Sequence, residues 1–244
     1  MKIAIVVPAL DEARSIRDVV TGALALGHDV VVVDDGSRDG TAAAIADLPV
    51  VLVRHEVRQG RGQALKDGFA AAFARGATAV VTIDGDGQHA ASDIPRLVAA
   101  HARSPDAIVL CARTRSDGPR PALRRFANGF ADFWISWACG RRVLDSQCGQ
   151  RLYPKRVLDG IAMPASGGFT FESEVLIEAA RAGFGIVGVP ILARYHEGRR
   201  PSHFRPLADI GLITRMVSWK IVKRGFYLPG LVRSRAAGPI LIDS

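Results

Sequence analysis

Cysteine is scarce in this chain: Cys111, Cys139 and Cys148 are the only three in 244 residues. So small and odd a set does not build a disulfide framework, and a reducing cytosol is the expected setting. No uncharged apolar run approaches the ~18 residues needed to span a bilayer. The chain is therefore expected to be soluble or to lie on a membrane without crossing it. Met1-Lys2 leads directly into an apolar segment, so no signal peptide is expected either. Internal repeats and low-complexity linkers are also missing, which leaves one large α/β domain, with or without a small appendage, as the expected organisation. Acidic residues fall short of basic ones, 24 against 32, and the net charge of +8 asks for an anionic partner. Nucleic acid, an acidic membrane and phosphorylated small molecules all qualify.

What is present is an alternation of apolar runs and helical patterns. Strands are expected over residues 2–7, 29–33, 49–53, 77–83, 107–111 and 186–193. Helices are expected over about 13–24, 41–47, 60–74, 93–102, 121–139 and 168–182. Strand and helix at this spacing predict right-handed βαβ units and a doubly wound, mostly parallel sheet with helices on both faces. Ligands bind beyond the carboxyl ends of such strands. Pro8 to Glu12, Asp34-Asp35, Arg58 to Arg61 and Asp84 to Gln88 all fall there, so four segments converge on one crevice. Pro-Ala-Leu-Asp-Glu stands where a dinucleotide fold would carry its glycine fingerprint, which argues against NAD.

The fourth strand ends in Thr82-Ile83-Asp84-Gly85-Asp86-Gly87-Gln88-His89. Two carboxylates two residues apart, with an amide oxygen two further on, offer hard oxygen ligands on one side of a turn. Mg²⁺ or Mn²⁺ suits them if water and substrate phosphates complete the shell. An EF-hand would need glycine sixth and glutamate twelfth from Asp84, where His89 and Pro95 stand. His89 is expected to hydrogen-bond within the loop, and Cys148 to be a buried small side chain.

Taken together, Pro8-Ala-Leu-Asp-Glu12, Asp34-Asp-Gly-Ser37, Gly60-x-Gly-x-Ala64, Asp84-x-Asp-Gly-Gln-His89, Asp145-Ser-Gln-Cys-Gly-x-Arg151 and the run from Phe169 to Glu174 carry a resemblance. Over residues 1 to about 200 the chain resembles the inverting family 2 glycosyltransferases of the GT-A fold, and most of all their polyprenol-phosphate mannosyl- and glucosyltransferase branch. The resemblance implies that Pro8, Ala9 and Glu12 hold the nucleoside of a nucleotide-diphosphate sugar. Asp34 or Asp35 would read its base, and Arg61 would lie near the diphosphate. Asp84 and Gly85 would face the nucleotide, with Asp84, Asp86 and Gln88 around a Mg²⁺ or Mn²⁺ ion. Three positions depart from the family pattern: Arg58 replaces the usual asparagine, Ala90 the usual proline, and Ser202-His203-Phe204-Arg205 stands for a late serine–lysine pair.

On the acceptor side the same resemblance puts a phosphate near Arg113, Arg124 and Asn128, with Arg151, Arg199 and Arg200 as further candidates. A lipid phosphate is already anionic and needs no general base, and arginine matches it through paired hydrogen bonds. A hydroxyl acceptor would need a carboxylate, for which Asp145 is the first choice ahead of Glu172 and Glu174. Sugar-phosphate nucleotidyl transfer is a further alternative, although Pro8 to Arg14 lacks the glycine-rich loop it uses. A nucleic-acid binder fits the charge but has no recognition motif.

Residues 201–244 are expected to form a basic helical segment. Leu207, Ile210, Ile213, Val217 and Ile221 recur at helical spacing with Arg215, Lys220, Lys223 and Arg224 nearby, and Trp219, Phe226 and Tyr227 suit an interface. That pattern suits either a helix packed on the core or one lying on the inner face of the cytoplasmic membrane. The aromatic run from Phe126 to Trp137 is expected to serve the core rather than lipid.

Overall fold

A computed structural model describes residues 1–116, 122–166, 168, 170–193 and 206–242, with side chains omitted at 115–116, 122–125, 193 and 206–210. Seven strands form one sheet in the order β3-β2-β1-β4-β6-β5-β7. These are β1 (Ile3–Ala9), β2 (Asp29–Asp34), β3 (Val51–Arg54), β4 (Ala79–Thr82), β5 (Ala107–Ser116), β6 (Arg151–Pro154) and β7 (Gly185–Ala193). The first four pair in parallel, as do β5 and β7. Only β6 runs against its neighbours, wedged between β4 and β5.

The helices are α1 (Ile16–Leu24), α2 (Arg61–Ala74), α3 (Ile94–Arg103), α4 (Ala122–Cys139), α5 (Lys155–Asp159), α6 (Thr170–Arg181), α7 (Pro206–Val222) and α8 (Leu228–Ala236). They cover both faces because the central strands alternate apolar side chains to both. Ile3, Ile5 and Val7 of β1 pack with Val20 of α1 and Leu97 of α3. Ala4 and Val6 point the other way, into a cluster with Leu65 of α2, Ile135 of α4 and Val175 of α6. A sheet buried on both sides reads as continuous Val and Ile, as residues 2–7 and 29–33 do.

The structure departs from the sequence reading in three places. Residues 151–154 form a strand that was not expected: Arg151 and Tyr153 break the apolar pattern yet both are buried. Helix α1 starts at Ile16 rather than near 13, because residues 11–13 hydrogen-bond across to the loop after β2. The helix expected over 41–47 is only a 3₁₀ turn, Ala43–Ile45.

Helix α7 settles which of its faces is internal. Ile213, Val217 and Ile221 join the core cluster against α4 and α6, while Leu212 is 54% exposed. Beyond α8, Gly188 of β7 donates to Ile240 and accepts from Ile242, so the C-terminal segment covers that sheet edge. Ile221→Ala is expected to lower unfolding free energy by roughly 2–5 kcal/mol. Leu212→Ala on the opposite face should change it by less than ~0.5 kcal/mol in the same urea titration.

Candidate active site

The polar ends of β1, β2 and β4 meet the residues before β6 and the start of α2 around one cleft. Its volume is about 1210 Å³ counted to its open mouth. Pro8, Ala9, Glu12, Asp35, Arg61, Asp84, Gly85, Asp86, Gln88, Arg113, Asn128 and Arg151 all line it. Asp34 does not: it is fully buried behind β2, where its Oδ1 accepts the Ser37 amide at 2.9 Å.

Arg61 crosses the middle of the cleft. Its Nη2 lies 2.6 Å from Asp84 Oδ1, and its Nε donates to Glu172 Oε2 at 2.7 Å. Burial disfavours the Asp84 carboxylate, but Arg61 outweighs it and holds the carboxyl below its usual range. At Asp86 the balance differs, because Arg61 only partly offsets what opposes its charge. Burial, reinforced by the Asp84 charge, pushes its carboxyl up. Gly149 closes the back wall. A Cβ there would sit 2.6 Å from both Arg61 Nη2 and Asp84 Oδ2, so only glycine lets the backbone approach this pair. His89 lies 3.8 Å from Asp84 Oδ2 and 3.9 Å from Cys148 Sγ, and burial keeps it neutral. The Cys148 thiol, pushed up to about 12 by burial, is inert.

These residues fit a divalent cation. Asp84 Oδ1 is buried and, although close to Arg61, has no aligned hydrogen-bond donor. Burial beside the Asp84 charge disfavours ionisation of Asp86, and Gln88 adds an amide to the same cleft. No group of three or more His, Cys, Asp or Glu among the described residues is arranged for a metal, so further ligands would have to come from water and phosphates.

Where the loops after β1 and β2 meet, the chain is stitched loop to loop. Asp11, at φ 55°, accepts the Arg38 amide, while the Asp11 and Glu12 amides donate to Ser37 and Thr41. Asp35 lines the cleft, but its carboxylate is occupied. It accepts the Gln59 and Gly60 amides at 2.7 and 2.8 Å and meets His55 Nδ1 at 2.7 Å. Asp35 thereby ties the loop carrying Arg58 to the end of β2.

At the other end, Asp145 is gripped by Arg113. Both oxygens receive guanidinium N–H groups at 2.6 Å, and the Arg113 amide adds a third bond at 2.9 Å. Burial opposes ionisation of Asp145, but these bonds win and hold its carboxyl down. Asp145 itself has φ 51°, a left-handed backbone held from below by Asp132 on α4. Asp132 accepts the amides of Asp145 and Ser146 at 2.9 and 2.8 Å and the Ser146 hydroxyl at 2.6 Å. Arg151 drops out as an acceptor ligand, because its donors go to the carbonyls of Cys148, Ser146 and Glu172. It is a strut beneath the cleft. The Arg124 side chain, Arg199 and Arg200 lie outside the described residues.

A family model described as glycosyl transferase family 2 matches residues 4–160. This chain belongs to glycosyltransferase family 2. It is 31% identical over 208 residues to the undecaprenyl-phosphate mannosyltransferase of Micrococcus luteus, across 78% of this chain and 83% of that protein. Over 217 residues it is 28% identical to the UDP-N-acetylglucosamine–dolichyl-phosphate N-acetylglucosaminyltransferase of Methanococcus voltae, across 80% and 86%. Glucosyl-3-phosphoglycerate synthase from Mycobacterium tuberculosis, solved with Mn²⁺ and UDP-glucose, superposes with a TM-score of 0.67 at 25% identity, over 91% of this chain and 78% of that one. The fold is GT-A, and the enzyme is a glycosyltransferase that uses a nucleotide sugar. Nucleotidyl transfer and nucleic-acid binding fall away as readings.

The sequence reading of this family 2 enzyme overlooked Asp132. A signal was present: it is the only charged residue between Phe126 and Gly140. Burial raises its carboxyl to about 6 despite the Ser146 hydrogen bonds. A carboxyl raised in the folded state favours folding when protonated and loses that contribution as pH rises through the folded value. The stability of wild type relative to Asp132→Asn should therefore fall between pH 4 and pH 7, by up to about 3 kcal/mol. Paired denaturant titrations across that range would read the difference.

Proposed function

We propose that this enzyme moves a hexose, with inversion, from a nucleotide-diphosphate sugar to a polyprenyl phosphate, using a divalent cation, at the inner face of the cytoplasmic membrane. One observation carries the acceptor reading. All three carboxylates available as a general base for a hydroxyl are paired with cations: Asp145 with Arg113, Glu172 with Arg61 and Arg151, and Glu174 with Lys220. A carboxylate held down by a two-pronged arginine is a poor proton acceptor. An acceptor that arrives ionised needs none. The relatives of Micrococcus luteus and Methanococcus voltae, both named for lipid-phosphate acceptors, support the same reading.

In this reading the backbone of Pro8 and Ala9, with Glu12 and Asp35, walls the nucleoside. Arg61 stands beside the diphosphate, and Asp84, Asp86 and Gln88 would hold Mg²⁺ or Mn²⁺. The bound cation supplies charge neutralisation for the departing nucleoside diphosphate. Arg113 and Asn128 line the acceptor end. From there a phosphate oxygen attacks the anomeric carbon on the face opposite the leaving group, so the new glycosyl phosphate has the inverted configuration. The buried back wall of Arg61, Asp84 and Gly149 limits water, a competing nucleophile.

A thermal-shift panel of UDP, GDP and their sugars, with and without Mn²⁺, tests the donor site. A nucleotide at 100 times its dissociation constant adds about 2.7 kcal/mol. That gain should require Mn²⁺ in wild type and vanish in Asp86→Ala, whose unliganded melting point should be unchanged or higher. Nucleotide stabilisation that survives Asp86→Ala would count against the site. For the acceptor, Asp145→Asn should raise KM for polyprenyl phosphate while keeping kcat above the ~10²-fold loss expected on removing a general base. A larger fall in kcat, or transfer to a prenyl alcohol instead, would favour hydroxyl chemistry.

A further inference from the structure

The α7–α8 corner carries a surface that the cleft does not explain. Trp219 and Val222 of α7 and Phe226 just beyond it recur at i, i+3 and i+7, opposite the Ile213, Val217 and Ile221 face that enters the core. Trp219 and Phe226 are each 60% exposed, and Leu228 and Val232 of α8, one turn apart, are 62% and 65% exposed. The stripe continues through the turn because Phe226 and Leu228 are separated by one residue. Of the residues that the sequence offered for a membrane surface, Ile213, Val217 and Ile221 are internal, whereas Trp219 and Phe226 do face outward.

The turn is built to push Phe226 out. Phe226 and Tyr227 have φ of 62° and 35°, in the left-handed region that non-glycine residues avoid. Tyr227 explains why the backbone tolerates it. Its carbonyl accepts Trp137 Nε1 at 3.1 Å, and the Arg224 guanidinium lies 3.6 Å from its ring centre. Its ring also packs so close to Gly230 that a Cβ there would sit 2.0 Å from it. With Tyr227 anchored inward, the strained turn displays a large aromatic side chain to solvent. Strain held against solvent in this way points to a partner.

Charge identifies that partner. Residues 211–242 contain Arg215, Lys220, Lys223, Arg224, Arg233 and Arg235 and no Asp or Glu. Lys220 is neutralised by Glu174 and Glu178 of α6, whereas Lys223 leans over the Trp219 ring at 4.9 Å, at the edge of the apolar stripe. Two such faces would repel each other, which disfavours a second copy as the cover. Exposed Trp and Phe ringed by Lys and Arg match the headgroup layer of an anionic bilayer, where rings sit at the acyl boundary and cations meet lipid phosphates.

We propose that the α7–α8 corner, led by Phe226, docks this enzyme on anionic lipid bilayers. Trp219, Val222, Leu228 and Val232 enter the interface, and Lys223 and Arg233 contact headgroups. This deepens the lipid-phosphate reading, since it gives a chain with no membrane-spanning helix among its described residues a way to reach such an acceptor.

Co-sedimentation of the full chain with phosphatidylglycerol–phosphatidylcholine vesicles lacking any polyprenyl phosphate tests docking apart from catalysis. Wild type should bind them at least about tenfold more tightly than pure phosphatidylcholine vesicles, and high salt should release it. Phe226→Ser and Val232→Ser should each weaken binding several-fold with unchanged melting curves. Both should keep wild-type turnover on a short, water-soluble prenyl phosphate and lose turnover on a long-chain one embedded in vesicles. Wild-type vesicle binding by both variants overturns the proposal, as does equal binding to neutral vesicles. A lipid-free dimer that these substitutions dissociate overturns it too, by showing that a second copy covers the face. Salt-sensitive docking without turnover on either prenyl phosphate leaves the docking surface standing and sinks the acceptor reading instead.

Discussion

Arg61 reaches from the first turn of α2 to two carboxylates that are remote in sequence, Asp84 after β4 and Glu172 on α6, and the cleft takes its shape from that bridge. Burying a guanidinium and two carboxylates is costly unless each is matched, and removing one partner of such a set costs roughly 3–5 kcal/mol. The bridge therefore fixes α2, α6 and the turn after β4 relative to one another. It also sets the charges of the site: Asp84 is paired from within the protein, while Asp86, two residues on, stays protonated more readily because burial and the Asp84 charge oppose its ionisation. In the proposed reading, a divalent ion arriving with the nucleotide would offset that cost. The requirement for glycine at 149 follows from the same bridge, since any side chain there would have to displace it.

A second chain of contacts runs parallel to the first. Asp132 holds the turn at Asp145 and Ser146, Asp145 holds Arg113, and Arg113 lines the cleft. Each link pairs an acceptor with donors that would otherwise be buried unmet, so the turn survives a left-handed residue at 145. The antiparallel β6 is what delivers this turn. By running back between β4 and β5 it brings residues 145–150 over the carboxyl ends of strands that all point toward the cleft. Thr82 at the end of β4 donates its hydroxyl to the Gly149 carbonyl at 2.6 Å, locking the two halves of the cleft together.

Where the chain follows regular periodicity, sequence alone was a good guide. The Val- and Ile-rich runs of β1 and β2, and the carboxylate–glycine break after β4, announce a buried parallel sheet and an oxygen-rich site from local pattern. Less legible were features decided by tertiary partners. Strand β6 carries an arginine and a tyrosine that look like surface residues until three carbonyls and a buried pocket receive them. Asp34 and Asp35 are indistinguishable as a pair, yet strand alternation turns one behind the sheet and the other to the cleft. The pairing of Asp145 with Arg113 joins residues 32 apart in sequence and leaves no trace in spacing. Helix α7 offered two apolar stripes, and only the packing of α4 and α6 decides which is internal.

The net charge of +8 asked for an anionic partner without saying where it binds, and the cleft does not hold that surplus. Arg61 is balanced by Asp84 and Glu172, Arg113 by Asp145, and Arg151 leans on Glu172 as well. A site that must bind a diphosphate and then release it gains from this near-neutrality, because uncompensated arginines would hold product as firmly as substrate. Much of the surplus lies instead in residues 211–242, with six cations and no acid. Charge that is neither buried nor at the reaction centre acts over longer range, on encounter and orientation. Composition gives only a sum, and the structure divides it between a cleft of matched pairs and a C-terminal surface with a net excess of cations.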